Sequence, residues 1–194
     1  TNEDTPTPSL AFTVDDAETA AGNLVVAAIS SSQSLVSNNN VLLAGTGANR
    51  NLIVVPSLNQ NGTTTITVSV SDGTATSSDS FVLTVQPVND APTVSLTSPN
   101  SGATLIAPAS ITLAAAATDP DGTVALVKFF VRVFDGELSI HYVSAPPFQF
   151  VTNYLPAGTH TFTAKATDNS GATATSDSVT ITVAPALPSL SIDD

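Results

Sequence analysis

Cysteine, methionine and tryptophan are missing from these 194 residues, and only four side chains, Arg50, Lys128, Arg132 and Lys165, are basic. Without cysteine there are no disulfides and no thiolate zinc sites. Four bases against 16 acids leave a net charge of −12, and nucleic-acid binding needs a basic footprint that such a chain lacks. With no tryptophan, and tyrosine only at 142 and 154, sugar binding by aromatic stacking is not expected. The missing methionine includes an initiator, which implies a fragment or a processed chain. No charged leader followed by an apolar run opens the sequence. The longest apolar run, Val124–Phe134, is interrupted by Lys128 and Arg132 and falls short of the ~20 residues that span a bilayer. Membrane insertion is therefore not expected.

Helix signals are missing too: no stretch shows a 3.6-residue period with caps. What the chain has is short runs of alternating Val, Ile, Leu, Phe and Thr, separated by turn residues. Thr63–Val70 places Ile66, Val68 and Val70 on one face, and Phe81, Leu83 and Val85 line one face of the run that follows the Asp72–Gly73 turn. Period two is the pattern of a half-buried strand. The second half repeats the plan with Ile111–Ala117, Val127–Val133, His160–Ala166 and Val179–Val183, divided by turns at Asp119–Gly122, Asp135–Gly136, Leu155–Gly158 and Asp168–Gly171. Ser30–Asn40 is polar and reads as a loop.

Near the midpoint, Pro87 and Pro92 bracket Asn89 and Asp90. Proline fixes φ, removes a donor and biases its predecessor towards extended backbone, so this segment reads as a short, stiff linker. The fold predicted is all-β: two tandem antiparallel β-sandwiches of immunoglobulin or cadherin type, over 1–90 and 91–185. Residues 186–194 read as the start of a following repeat or a tail. Ser71–Val85 and Thr167–Val183 resemble each other, which supports a repeat of about 95 residues.

NEDTP at Asn2–Pro6, FTVDDAE at Phe12–Glu18, VSVSDG at Val68–Gly73 and VNDAP at Val88–Pro92 resemble bacterial cadherin-like tandem repeats of large surface proteins. DPDG, VKFFV (Val127–Val131), APPFQF (Ala145–Phe150) and LPAGTHTFTAKATDNSGATATS (Leu155–Ser176) resemble bacterial immunoglobulin-like modules of secreted enzymes and adhesins. The cadherin-like resemblance implies calcium held by linker and loop acids. The linker departs from the pattern DxNDN, with Pro87 for the first acid and Ala91 for the last Asn.

Strand parity predicts that each sandwich gathers acids at the pole where the chain enters it. In the second half these are Asn89, Asp90, Asp119, Asp121 and Asp168; in the first they are Glu3, Asp4, Asp15, Asp16, Glu18 and Asp72. Calcium takes six to eight oxygens from carboxylates, Asn and carbonyls, and both sets are candidate ligands. The competing explanation is that Asp and Asn favour turns. His141 and His160 read as packing or surface residues, with His160 partly buried and hydrogen-bonded. Asn61–Thr63 matches a glycosylation sequon but reads as a turn. G-x-S-x-G is absent, and no nucleophile–base arrangement is legible. A carboxylate pair could hydrolyse a glycoside, but these pairs fall at poles and not in an aromatic cleft.

The expectation is a non-catalytic extracellular spacer of a bacterial surface or secreted protein, rigidified by calcium, with neighbouring repeats of the same chain as its partners. The alternatives are an adhesive module that binds a surface protein or glycan, with an apolar patch around Phe130 and Phe134, and an accessory domain of a polysaccharide-degrading enzyme.

Overall fold

A computed structural model describes residues 1–133 and 136–188. The chain divides into two compact units, Thr1–Val88 and Asn89–Asp194. The fold is all-β; the described residues contain only two single 3₁₀ turns besides strands, Ala21–Asn23 and Asn38–Asn40.

The first unit has two three-stranded layers. β1 (Leu10–Thr13), β3 (Val41–Thr46) and β4 (Asn49–Val54) form one, in the order β1-β4-β3. β2 (Val25–Ser30), β5 (Gly62–Ser71) and β6 (Thr76–Val85) form the other, in the order β2-β5-β6. The register pairs Ile66 with Phe81 and Thr64 with Leu83, so the alternating apolar residues of both strands share one face. The turn between them is built by Asp72, whose Oδ1 accepts from the Thr74 and Ala75 amides at 2.7 and 2.6 Å. Gly73 sits there at φ +93°, where a Cβ would be strained. Leu52, Val54, Ile66 and Val85 seal the core.

The loop between β2 and β3 takes part in that core. Leu35 and Val36 are buried, and polar ties hold the surrounding chain in place. Ser30 Oγ meets Thr64 Oγ1 at 2.8 Å, and Asn38 Oδ1 accepts from the Ser30 amide and from Gln33 Nε2. The polar composition marked a loop correctly but hid its apolar plug.

The second unit packs β7 (Thr93–Ser98), β9 (Ala109–Thr118) and β12 (Gln149–Leu155) against a larger sheet, with the order β12-β9-β7 in the smaller layer. The larger sheet runs β11 (Gly136–Val143), β10 (Val124–Val133), β13 (Gly158–Asp168), β15 (Val179–Ala184), β8 (Thr104–Ile106). β14 (Thr173–Thr175) also pairs with β13. Leu113, Val127, Phe129, Phe162 and Ile181 are the centre of its core. Phe129 meets Phe150 across the layers at 5.3 Å between ring centroids.

β8 lies parallel to β15, and in the first unit Asn2 bridges Gln86 in parallel. Three-residue strands leave no readable period, and the sequence did not signal β8 or β14. Phe134 and half of the predicted Asp135–Gly136 turn fall outside the described residues. So do residues 189–194, within the segment predicted to begin a further repeat.

Two separate cores predict two separable unfolding events. Ile66→Ala should cost about 2–5 kcal/mol and Phe129→Ala about 3–5 kcal/mol, each moving one transition in calorimetry. One shared transition that both substitutions shift equally would contradict this.

Candidate functional site

Asp168 ends β13 and is 2% exposed. Its Oδ1 accepts from the amides of Ser170, Gly171 and Ala172 at 2.9, 2.5 and 2.8 Å. Its Oδ2 accepts from Asn89 Nδ2 at 2.8 Å. The Asn89 bond first, and the backbone amides with it, hold the carboxyl below its ordinary range against the opposing effect of burial. Asp168 thus folds its own loop and fastens the residue at the start of this unit.

The neighbouring turn is fastened to the same place. Asn169 Oδ1 accepts from the Thr123 amide at 2.9 Å, and the Asn169 amide donates to Thr123 O at 3.0 Å. The Asp90 amide donates to Asp121 Oδ2 at 3.3 Å. Gly122 leaves room at this place: a Cβ there would stand 2.6 Å from Asp119 Oδ2 and closer still to Asn169 Oδ1, so a side chain would displace those oxygens. Asn89, Asp90, Asp119, Asp121 and Asp168 therefore come together at one pole, with Asn169 and Gly122 as members that the acids alone did not reveal.

Asp119 differs from its neighbours. Both of its carboxylate oxygens are closed to solvent and accept no hydrogen bond. Burial, the charges of Asp121, Asp168 and Asp90, and the prospect of sharing a proton with Asp121 all push its pKa up. Even so, the acids are gathered and not closed around a point: among the described residues no group of three or more His, Asp or Glu stands in metal-holding geometry.

The first unit splits its acids between two ends. Glu3 is buried beside the last strand: its amide donates to Gln86 O at 2.9 Å, and its Oε1 accepts from the Val88 amide at 2.6 Å. Asp4 Oδ1 accepts from the Asn59 amide at 2.8 Å. Asp72 lies beyond the other end of β6, a ten-residue strand of roughly 3.4 Å per residue. Asp16 Oδ1 caps the amides of Glu18 and Thr19, in the connection between the end of β1 and the start of β2. Val25 of β2 pairs with Ser71, which puts Asp15, Asp16 and Glu18 at the Asp72 end. The expectation of one six-residue cluster is corrected: residues 1–14 run the length of the sandwich, with Thr7 bonded to Val54 and Thr13 paired with Asn49. Asp72 is held below the ordinary carboxylate range by the Ala75 and Thr74 amides, as a turn former should be.

His160 Nε2 donates to Pro156 O at 2.9 Å, and His141 stacks on Phe150 at 4.3 Å; both rings serve packing. A groove of about 540 Å³ separates β1 from β6, lined by Leu10, Phe12, Leu52, Val68 and Phe81 together with Ser77 and Asp79.

Residues 92–164 match a family model described as a bacterial Ig domain. The matched segment lies within the second unit, an immunoglobulin-like β-sandwich. Asp119 and Asp121 fall inside the matched segment, Asn89 and Asp90 precede it, and Asp168 follows it. Among solved structures, fibronectin(III)-like modules of Clostridium thermocellum CbhA are 30% identical over 49% of this chain and 100% of theirs, with a TM-score of 0.43. Titin domains z1z2, solved in complex with telethonin, are 14% identical over 96% of this chain and 92% of theirs, with a TM-score of 0.36. An endo-fucoidan hydrolase of glycoside hydrolase family 107 is 17% identical over 96% of this chain, with a TM-score of 0.38; the match takes in 27% of that enzyme. No curated protein matches the chain. No described helix is long and apolar enough to cross a membrane.

The two carboxyls of the Ig-like domain should respond to pH with opposite signs. Asp168, depressed when folded, stabilises above the ordinary carboxylate range, and this is lost as pH falls through its lowered pKa. Asp119, raised when folded, loses stability as pH rises from the ordinary value of 3.8 through its raised pKa. At neutral pH in chelator, Asp168→Asn should lower the melting temperature and Asp119→Asn should raise it. Equal effects of the two substitutions would refute this account of the pole.

Proposed function

We propose that the chain is a non-catalytic structural module of a larger bacterial surface or secreted protein, its first unit a cadherin-like repeat, and that the acidic pole of its Ig-like domain takes calcium. The observation that carries the calcium reading is Asp119, with two buried carboxylate oxygens that no donor satisfies. Leaving such a group unpaired is costly, and a divalent cation removes both that cost and the repulsion among Asp90, Asp119 and Asp121. The donor set is hard oxygen, which suits calcium. Asp119 and Asp121 would be the principal ligands, with Asp90 and the amide oxygen of Asn89 beside them. Asp168 would position Asn89. Asp121 is exposed, and its reorientation is the adjustment that ion binding demands. The acids of the first unit serve as turn caps and as a latch between Glu3 and the end of β6.

Extracellular modules bind calcium at about 10⁻⁴–10⁻³ M, which fits a secreted location. Calcium at ten to a hundred times its dissociation constant would stabilise the domain by about 1.4–2.7 kcal/mol. Calorimetry in millimolar calcium against chelator should show that gain in one transition. Asp119→Ala should abolish it and Asp72→Ala should preserve it. If calcium moves neither transition, the acids serve only the turns. The purified chain should also leave polysaccharide and peptide panels unhydrolysed; turnover that Asp119→Ala removes would overturn the non-catalytic reading.

A further inference from the structure

Three of the four bases in this acidic chain, Lys128, Arg132 and Lys165, lie on one face of one sheet. The register makes the crowding specific. Lys128 of β10 stands directly opposite Lys165 of β13 on one side and Tyr142 of β11 on the other. Lys165 in turn pairs with Thr175 of β14. A single row across four strands thus reads Tyr142, Lys128, Lys165, Thr175.

The positions flanking that row on the same face are Leu126 and Phe130 of β10 and Thr163 and Thr167 of β13. None is acidic. Glu137 is the register partner of Arg132, and Asp177 follows Ser176, whose amide donates to Ala164 O at 2.8 Å, so one acid borders the row beyond Thr175. Like charges directly opposite one another destabilise a sheet, and the register sets no acid directly opposite either lysine. The lysines occupy a position that folding does not favour.

We infer that the outer face of this sheet, centred on Lys128 and Lys165 with Tyr142 beside them, is a binding surface for an anionic polysaccharide. The two ammonium groups sit on neighbouring strands, about 4.8 Å apart at the backbone, and meet sulfate or carboxylate groups carried by a sugar chain. Tyr142 is 68% exposed and offers a ring face and a hydroxyl to an adjacent sugar. This sets an exposed aromatic beside a lysine, which the tyrosine count in the sequence did not reveal. Threonine hydroxyls at 167 and 175 supply donors and acceptors for sugar hydroxyls.

A protein partner fits less well. Stable protein interfaces need an apolar, desolvated centre, and this face offers only half-buried Phe130 and Leu126. A nucleic acid, with one charge per ~1.7 Å, meets too few cations here against a net charge of −12. A polysaccharide charged once every ring or two is sparser. At physiological salt, acids more than a Debye length of about 8 Å away are largely screened from it.

Affinity electrophoresis and titration calorimetry of the whole chain test this against dextran sulfate, polygalacturonate, neutral dextran and polyglutamate. Binding to dextran sulfate, polygalacturonate or both is expected, weakening with salt, with none to neutral dextran. The two polymers distinguish a sulfate ligand from a carboxylate one. Lys128→Glu with Lys165→Glu should weaken binding about tenfold or more. Tyr142→Ala should weaken it while keeping the salt dependence. Lys128→Thr with Lys165→Thr should lose binding while melting no lower than the parent, which separates recognition from folding. No binding to either anionic polymer at low salt would overturn the inference. So would unchanged binding in the charge-reversed variant, or polyglutamate binding as tight and indifferent to Tyr142.

Discussion

A buried carboxylate with four donors pointed at it, Asp168, is the contact on which the acidic pole depends. It closes the 168–172 loop through three amides and holds Asn89 through a fourth bond. Asn169, positioned by that loop, then fixes the Asp119–Gly122 turn through Thr123. Asp119 inherits its burial from this arrangement, because the loop that shields it is already pinned. The same residue type thus does two different things at one pole. One carboxylate is satisfied and depressed; the other is unsatisfied and raised. The difference lies in the donors each one faces, for Asp168 the Asn89 side chain first and the backbone amides with it.

Most of the strand pattern was legible because period two survives in short runs. Ile66, Val68 and Val70, or Val127 and Phe129, announce a face without any knowledge of the partner strand. The polar 31–40 loop was legible as a loop, but Leu35 and Val36 were not legible as core, since two apolar residues have no period. The acidic pole of the second unit followed from parity, because turns after consecutive strands return to the same end. Parity failed for Glu3 and Asp4, since the first residues run beside the last strand and cross the whole sandwich before β1 is complete. The facing of Lys128 and Lys165 depends on register between strands about 35 residues apart in sequence, and nothing local encodes that.

The two units share an economy in how they begin. In each, a segment near the start lies parallel to the last strand, as Asn2 does to Gln86 and Thr104–Ile106 to Thr182–Ala184. In the first unit Glu3 adds a side-chain bond to Val88, so the residue that leaves the domain is tied to one that enters it. Contacts between chain ends are among the longest loops a fold can close, and loop-closure entropy grows only slowly with length. A few hydrogen bonds are enough to hold them.

The gap between β1 and β6 has a consequence of another kind. Both strands are sheet edges, and their facing sides leave an apolar groove that a strand from another copy could fill. Asp79 stands opposite Val68 on the inward side of β6, so any strand that entered would enclose an uncompensated carboxylate. Inward charges on edges are how β-proteins avoid pairing with strangers. Modules joined by short linkers meet each other at effective millimolar concentration, where exchange of strands between neighbours is the standing hazard of repeats. One aspartate facing the groove guards this edge against a foreign strand and leaves the first unit to fold as an individual.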